Sequence, residues 1–359
     1  MKIVFDCRYT RLGRHDGISR YGARLVEELN TLHPVTMLIS DPEQLELLPD
    51  LPWEIAPSPT AIGEPWIART VNKLAPDVVF TPMQTMGPFG RNYALVTSVH
   101  DLIYYKHRTP PRNLPWAVRA LWRVYHWTWA FQRALLNRAD AHVTDSETTR
   151  DLMVQHRLTK KPISVVTLGT DDTASVAPRR LPTTRELVYM GSYMPYKNVE
   201  LIARALHDLP GYTLHLMSRA DDATTARLTA LAPPASLIFH QGASDEVYKE
   251  TLSRAVALVS ASRDEGFGLP QVEAMVLGTP VVVSDIPIFR EISGEAGGFF
   301  SPDSVDELVR EVHSLEDPAL WQSRSSAARQ RSEQFTWQKG AASLFEVLSD
   351  AVERRAKPK

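Results

Sequence analysis

Short β-branched runs alternate with longer amphipathic segments along almost the whole chain, and the alternation runs through twice. Such a pattern implies parallel sheets covered on both faces, because parallel neighbours need a crossover and the crossover is usually a helix. In the first half, strand-like runs fall at 2–5, 35–39, 78–81, 95–99, 141–144 and 164–167. A turn through Gly13 and Gly17 leads into a helix at 19–32, with Tyr21, Leu25, Val26 and Leu29 on one side. The pattern pauses at 171–185, which is rich in Thr, Pro, Ala and Arg, has no apolar period and reads as a linker. It restarts with strands at 187–190, 213–217, 236–240, 257–260 and 280–284 and helices at 199–207, 221–231, 245–254 and 269–277. Helices at 305–315, 320–330 and 337–356 close the chain. The expected fold class is α/β, with two doubly wound domains of similar size and a helical tail. Ligands of such sheets bind at the carboxyl ends of the strands, so the cleft between two of them is the default site.

Composition narrows the function classes. The 359 residues carry 40 Lys plus Arg against 42 Asp plus Glu, a formal net charge of -2, which does not suit a dedicated nucleic-acid binder. The single cysteine, Cys7, allows no intramolecular disulfide and no Cys-rich zinc site. The apolar run at Ile3-Val4-Phe5 is too short for a signal peptide, and no stretch approaches 18 apolar residues. These features predict a soluble, cytoplasmic protein.

The most informative string is Ser260-Ala261-Ser262-Arg263-Asp264-Glu265-Gly266-Phe267-Gly268-Leu269-Pro270-Gln271-Val272-Glu273-Ala274-Met275. A buried strand ends near Ser260, a loop with two glycines follows, and a helix begins near Leu269. Pro270 suits a first helical turn, where its missing N–H costs nothing. Glycines admit a ligand close to the backbone, and the N–H groups of a helix start favour anions. Glu265 in the loop and Glu273 one turn into the helix can accept hydrogen bonds from the hydroxyls of a sugar and of a ribose.

Glu265-Gly266-Phe267-Gly268-Leu269-Pro270, then Glu273-Ala274-Met275 and Gly278-Thr279-Pro280, resemble the Glu-x7-Glu region of retaining glycosyltransferase family 4, nucleotide-sugar enzymes of GT-B fold. Further segments fit in order: Asp6-Cys7-Arg8 with Gly17-Ile18-Ser19-Arg20-Tyr21, Val99-His100-Asp101-Leu102, Tyr189-Met190-Gly191-Ser192-Tyr193 with Lys197-Asn198, and Phe335-Thr336-Trp337. The resemblance covers nearly the full chain and is strongest to bacterial mannosyltransferase-like members. It implies two Rossmann-like domains facing across a cleft: 1–172 on the acceptor side, 173–335 on the nucleotide-sugar side, and 336–359 as a helix returning to the first.

The resemblance also implies residue roles. Lys197 holds the donor diphosphate, His100 faces the transferred sugar, and Glu265 positions that sugar. Together with Gly17, Gly242, Gly266, Phe267, Gly268, Leu269 and Glu273 they would form the donor site. Ser19 stands where many relatives have a second glycine. Many relatives also carry an Arg just before the lysine, where this chain has Ser192, Pro195 and Tyr196; Arg263 or Arg219 is the expected substitute. Base recognition is expected near Gly242-Ala243. GDP-mannose is the first donor expected, UDP-glucose or UDP-N-acetylglucosamine the second. No cofactor is expected. Neither is a metal: Asp171-Asp172 and Asp221-Asp222 read as linker and helix-start acids. Retention by front-face attack is implied. A different GT-B enzyme, such as an epimerase or phosphorylase, and a catalytically silent sugar-nucleotide binder remain as alternatives.

Residues 102–139 hold Lys106, Arg108, Arg112, Arg119, Arg123, Arg133 and Arg138 and no acid, with Trp116, Trp122, Trp127 and Trp129 among them. Basic residues interleaved with Trp suit an anionic membrane surface, here the inner face, or a glycan or lipid-linked acceptor. An amphipathic helix that packs its aromatics inward has the same composition. Nucleic acid is not expected as a partner.

Overall fold

The computed structural model describes residues 1–109, 116–170 and 179–356, apart from the side chains of Ala117, Leu121 and Val124. The expected domain boundary at 172/173 and the first part of the linker lie outside the described residues. The chain divides into two compact units, one of Met1–Gly169 with the chain from Thr336 onward, the other of Thr170–Phe335.

In the first unit, β1 (Ile3–Asp6), β2 (Val35–Ile39), β3 (Trp53–Ile55), β4 (Val78–Thr81), β5 (Ala94–Val99), β6 (Ala141–Thr144) and β7 (Ile163–Val165) form one parallel sheet in the order 3-2-1-4-5-6-7. Ile3 lies opposite both Val35 and Val78, so β1 is central and every residue in it is buried. Full burial on both faces is why β1 and β4 open on unbroken apolar runs, Ile3-Val4-Phe5 and Val78-Val79-Phe80, without alternation. The order reverses between β1 and β4, and that switch point is held by a buried ion network. Arg8 makes paired bonds to Asp6 (2.8 and 3.0 Å) and to Glu64 (2.7 and 3.0 Å), and a fifth to the Pro57 carbonyl. Burial disfavours charge on Arg8, but the two carboxylates outweigh it and raise its pKa.

The Trp337–Ala356 helix belongs to this unit and packs along the Gly17–Leu32 helix, with His33 stacked on Phe345 at 5.8 Å. Gly169 and Gly340 allow the same helix to approach the chain that follows β7 closely. A Cβ on Gly169 would lie 2.2 Å from the Trp337 nitrogen, and one on Gly340 would lie 2.7 Å from the Thr167 oxygen.

In the second unit, β8 (Glu186–Tyr189), β9 (Thr213–Leu216), β10 (Leu237–Phe239), β11 (Ala257–Ser260), β12 (Val281–Ser284) and β13 (Gly297–Phe300) form a parallel sheet in the order 10-9-8-11-12-13. Its switch point lies between β8 and β11. The core gathers Leu187, Leu214, Val259 and Trp321, whose indole N–H donates to the Val256 carbonyl at 2.9 Å.

Two strands were not legible as strands. β3 is only three exposed residues, Trp53-Glu54-Ile55, at a sheet edge, too short for its alternation to stand out. β13 opens Gly297-Gly298, a poor strand sequence that pairing with Val281 and Val282 overrides. The first helix also starts two residues before the expected Ser19: Asp16 caps it by accepting from the Ser19 N–H at 2.9 Å. Ser19 is thus a buried first-turn residue whose hydroxyl accepts from the Arg11 N–H at 2.7 Å, and not part of an open loop. Gly17 is the first helical residue, and a Cβ there would meet nothing within 4 Å, so packing places no demand on it.

Candidate active site

The second switch point gathers the residues that the sequence singled out. Beyond β11 the chain passes buried Ser262, and the Arg263 N–H donates to the Tyr196 carbonyl at 2.8 Å, joining this loop to the Pro195–Lys197 turn after β8. Lys197 Nζ then meets Glu265 Oε1 at 2.5 Å, and the Ser262 hydroxyl donates to the same oxygen at 2.8 Å. Both charged side chains keep only 15% of their surface exposed. Read from the sequence, Lys197 and Glu265 have separate roles; folded, they are one ion pair 68 positions apart in the chain.

The loop continues into the Leu269–Val276 helix through Gly268, whose φ of +109° is open to glycine and strained for other residues. Glu273 is half-buried one turn inside that helix. Phe267 is buried edge-on against Phe335 at 5.7 Å, so its ring is core and only its backbone is left for a ligand. At the ends of β8 and β9, the Gly191 N–H donates to the Ser218 hydroxyl at 3.2 Å and the Tyr193 hydroxyl to the Ser218 carbonyl at 3.1 Å. Gly242 and Ala243 both donate to the Met217 carbonyl, which brings the Gly242 turn beside Arg219. Ser218 has no signal in the sequence, since its place here comes only from adjacent strand ends.

The two candidate substitute cations separate clearly. Arg263 pairs with Asp303 at 2.6 Å. Arg219 is exposed and has no acidic partner among the described residues.

In the first unit, His100 follows β5. Its Nδ1 lies 2.7 Å from Asp145 Oδ2 and its Nε2 lies 2.6 Å from the Pro82 carbonyl, while Tyr21 sits edge-on at 5.0 Å. Burial disfavours a charged ring, but the Asp145 carboxylate outweighs it, and the Pro82 carbonyl and Asp101 add to it; the pKa is pushed up to about 9.

Two family models match the chain in tandem: "Glycosyltransferase Family 4" over residues 15–174 and "Glycosyl transferases group 1" over 172–331. The chain is a glycosyltransferase of the family 4 type. His100 and Gly17 fall within the first match, Lys197, Glu265 and Glu273 within the second. The Escherichia coli serotype-specific mannosyltransferase WbdA is 35% identical over 112 residues, 31% of this chain and only 14% of the length of that relative. The MMP α-(1→4)-mannosyltransferase of Mycolicibacterium hassiacum is 27% identical over 276 residues, 74% of this chain and 67% of that one. Sucrose-phosphate synthase from Thermosynechococcus elongatus superposes with a TM-score of 0.73 at 17% identity, over 99% of this chain and 100% of that one, which shows the GT-B fold.

The basic segment of this glycosyltransferase divides its tryptophans. Trp129 stacks on Tyr105 at 3.8 Å and on His156 at 4.5 Å, and Trp122 packs on His126 at 4.0 Å. Trp116 and Trp127 are 83% and 71% exposed. The fully inward packing of all four is therefore not what the fold does. Arg133 caps helix-end carbonyls at His156 and Arg157, and Arg138 lies over Phe89. Arg119 and Arg123 have no acidic partner among the described residues. Arg112 lies outside those residues. No helix among them is long and apolar enough to cross a membrane.

Proposed function

We propose that this glycosyltransferase moves a hexose from a nucleotide-diphosphate sugar, GDP-mannose before UDP-sugars, to a glycan or lipid-linked acceptor with retention of configuration and without a metal. The observation that carries this reading is the Lys197–Glu265 pair at the second switch point. A cation and a sugar-binding carboxylate already in contact suit a ligand whose phosphate and sugar are neighbours. The incoming diphosphate takes over the Lys197 charge, Glu265 turns to sugar hydroxyls, and Arg219 supplies the second cation. The relatives named as mannosyltransferases favour mannose.

In this reading the acceptor oxygen bonds to the anomeric carbon on the face from which the phosphate oxygen departs. The acceptor proton passes to that departing oxygen, so no protein base is needed. Lys197 stabilises the charge that develops on the leaving group.

Glu273 takes the two ribose hydroxyls. Charge-assisted hydrogen bonds contribute about 1.5–3 kcal/mol, so Glu273→Ala is expected to weaken GDP or UDP roughly ten- to a hundred-fold with the fold intact. Calorimetry in the presence of a chelator tests this together with metal independence: nucleotide binding that vanishes on chelation, or that ignores the Glu273 change, removes the assignment.

The exposed Trp116 and Trp127 beside Arg119 and Arg123 favour peripheral contact with an anionic membrane at the cytoplasmic face, where a lipid-linked acceptor would be presented. Each cation near such a surface contributes about 1 kcal/mol. The protein should sediment with anionic liposomes at low salt, and the double change Arg119→Glu, Arg123→Glu should abolish it. Failure to sediment would leave a soluble glycan as the acceptor.

A further inference from the structure

Strands β4, β5 and β6 end side by side, and His100 is held there from both sides. Its two partners, the Asp145 carboxylate and the Pro82 main-chain carbonyl, only accept hydrogen bonds. If Nε2 were unprotonated, two lone pairs would face each other at 2.6 Å. Both ring nitrogens therefore carry hydrogen. Neither is left to take a proton from a substrate.

The surroundings agree with a charged ring. Asp145 and Asp101 are the charged groups facing it, from the ends of β6 and β5. The Gly17–Leu32 helix presents the Tyr21 ring, itself backed by Trp337 at 6.4 Å. Asp145 is held in turn: Ser146 caps the Glu147–Gln155 helix by accepting from the Thr149 N–H at 3.1 Å, which places the carboxylate just before a helix start. Asp145 Oδ1 has no hydrogen-bond partner among the described residues, so His100 is what satisfies this buried carboxylate.

We infer that Asp145 is a positioning residue, which fixes His100 as a doubly donating imidazolium so that the first unit offers the reaction a standing positive charge and not a base. The inference rests on the proposed sugar transfer and on the resemblance that turns His100 toward the transferred sugar. With the charge held by Asp145, His100 donates to an oxygen of the transferred sugar by exchanging its Pro82 contact, with no net proton transfer.

The test uses the full chain with labelled histidine, His100 being assigned from the spectrum of His100→Gln. Wild-type His100 should remain protonated through pH 8, and Asp145→Asn should bring its titration down by about two pH units, toward the ordinary value of about 6.5. At pH 8 the variant should lose tenfold or more in kcat with nucleoside diphosphate affinity unchanged, and it should recover most of that loss at pH 6, where the ring is charged again. A purely structural role predicts the same loss at every pH. Wild-type titration below pH 7, or a variant whose loss is the same at pH 6 and pH 8, overturns the proposal. The wild-type titration needs no substrate, and the variant His100→Gln serves only to assign its signal. A wild-type enzyme inactive on every nucleotide-sugar would count against the proposed function and leave the titration to decide the Asp145 pairing.

Discussion

Lys197→Ala should lower turnover roughly 100- to 1,000-fold, the range seen when one group aimed at developing transition-state charge is removed. In transfer from a nucleotide-sugar, that charge appears on the departing phosphate. Lys197 is the cation that the Pro195–Lys197 turn places at the switch point between β8 and β11. Its present partner, Glu265, is also bonded by Ser262, so the carboxylate keeps one donor when the lysine is lost. The main loss is therefore expected in catalysis, with stability changing little. Binding separates the roles further: a neutral nucleoside should bind the variant nearly as it binds the wild type, while the nucleoside diphosphate should weaken clearly. Equal weakening of both, measured by calorimetry, would mean that Lys197 serves the base or ribose and not the diphosphate.

Arg8→Met should have the largest effect on stability. Asp6 and Arg8 have fully buried side chains, and Glu64 is 11% exposed. Removing the guanidinium leaves two carboxylates facing each other out of water. Breaking a buried ion pair by deleting one partner costs about 3–5 kcal/mol, a large share of the roughly 5–15 kcal/mol that holds a typical domain together. The first unit should unfold at markedly lower urea in this variant. The triple change Asp6→Leu, Arg8→Met, Glu64→Met should be less damaging than Arg8→Met alone, because it removes the stranded charges along with their partner. A triple variant weaker than the single one would show that the main-chain contacts of the two carboxylates, to the Gly87 and Arg8 N–H groups, and not the charges, set the cost.

Strand positions and glutamate spacing were legible because they are local properties. Strands covered on both faces of a parallel sheet are rich in apolar and β-branched residues whatever their neighbours, so β2, β4, β6 and β11 could be located to the residue from their composition. The loop at Glu265–Gly268 could be read for the same reason: its glycines and Pro270 state backbone requirements that hold within a few positions. Pairings between distant residues have no such local trace. That Lys197 closes on Glu265, that Arg263 is taken by Asp303 while Arg219 is not paired with an acid, that Phe267 turns into the core and that both nitrogens of His100 are occupied all follow from which strand ends the sheet order makes neighbours. β13 belongs with them, since two glycines become a strand only where β12 offers an edge. The sequence by itself determined what each segment can be, through burial and backbone freedom. The tertiary structure decided which charges meet, because an ion pair depends on distance in space, and that distance is set only when the sheets are assembled.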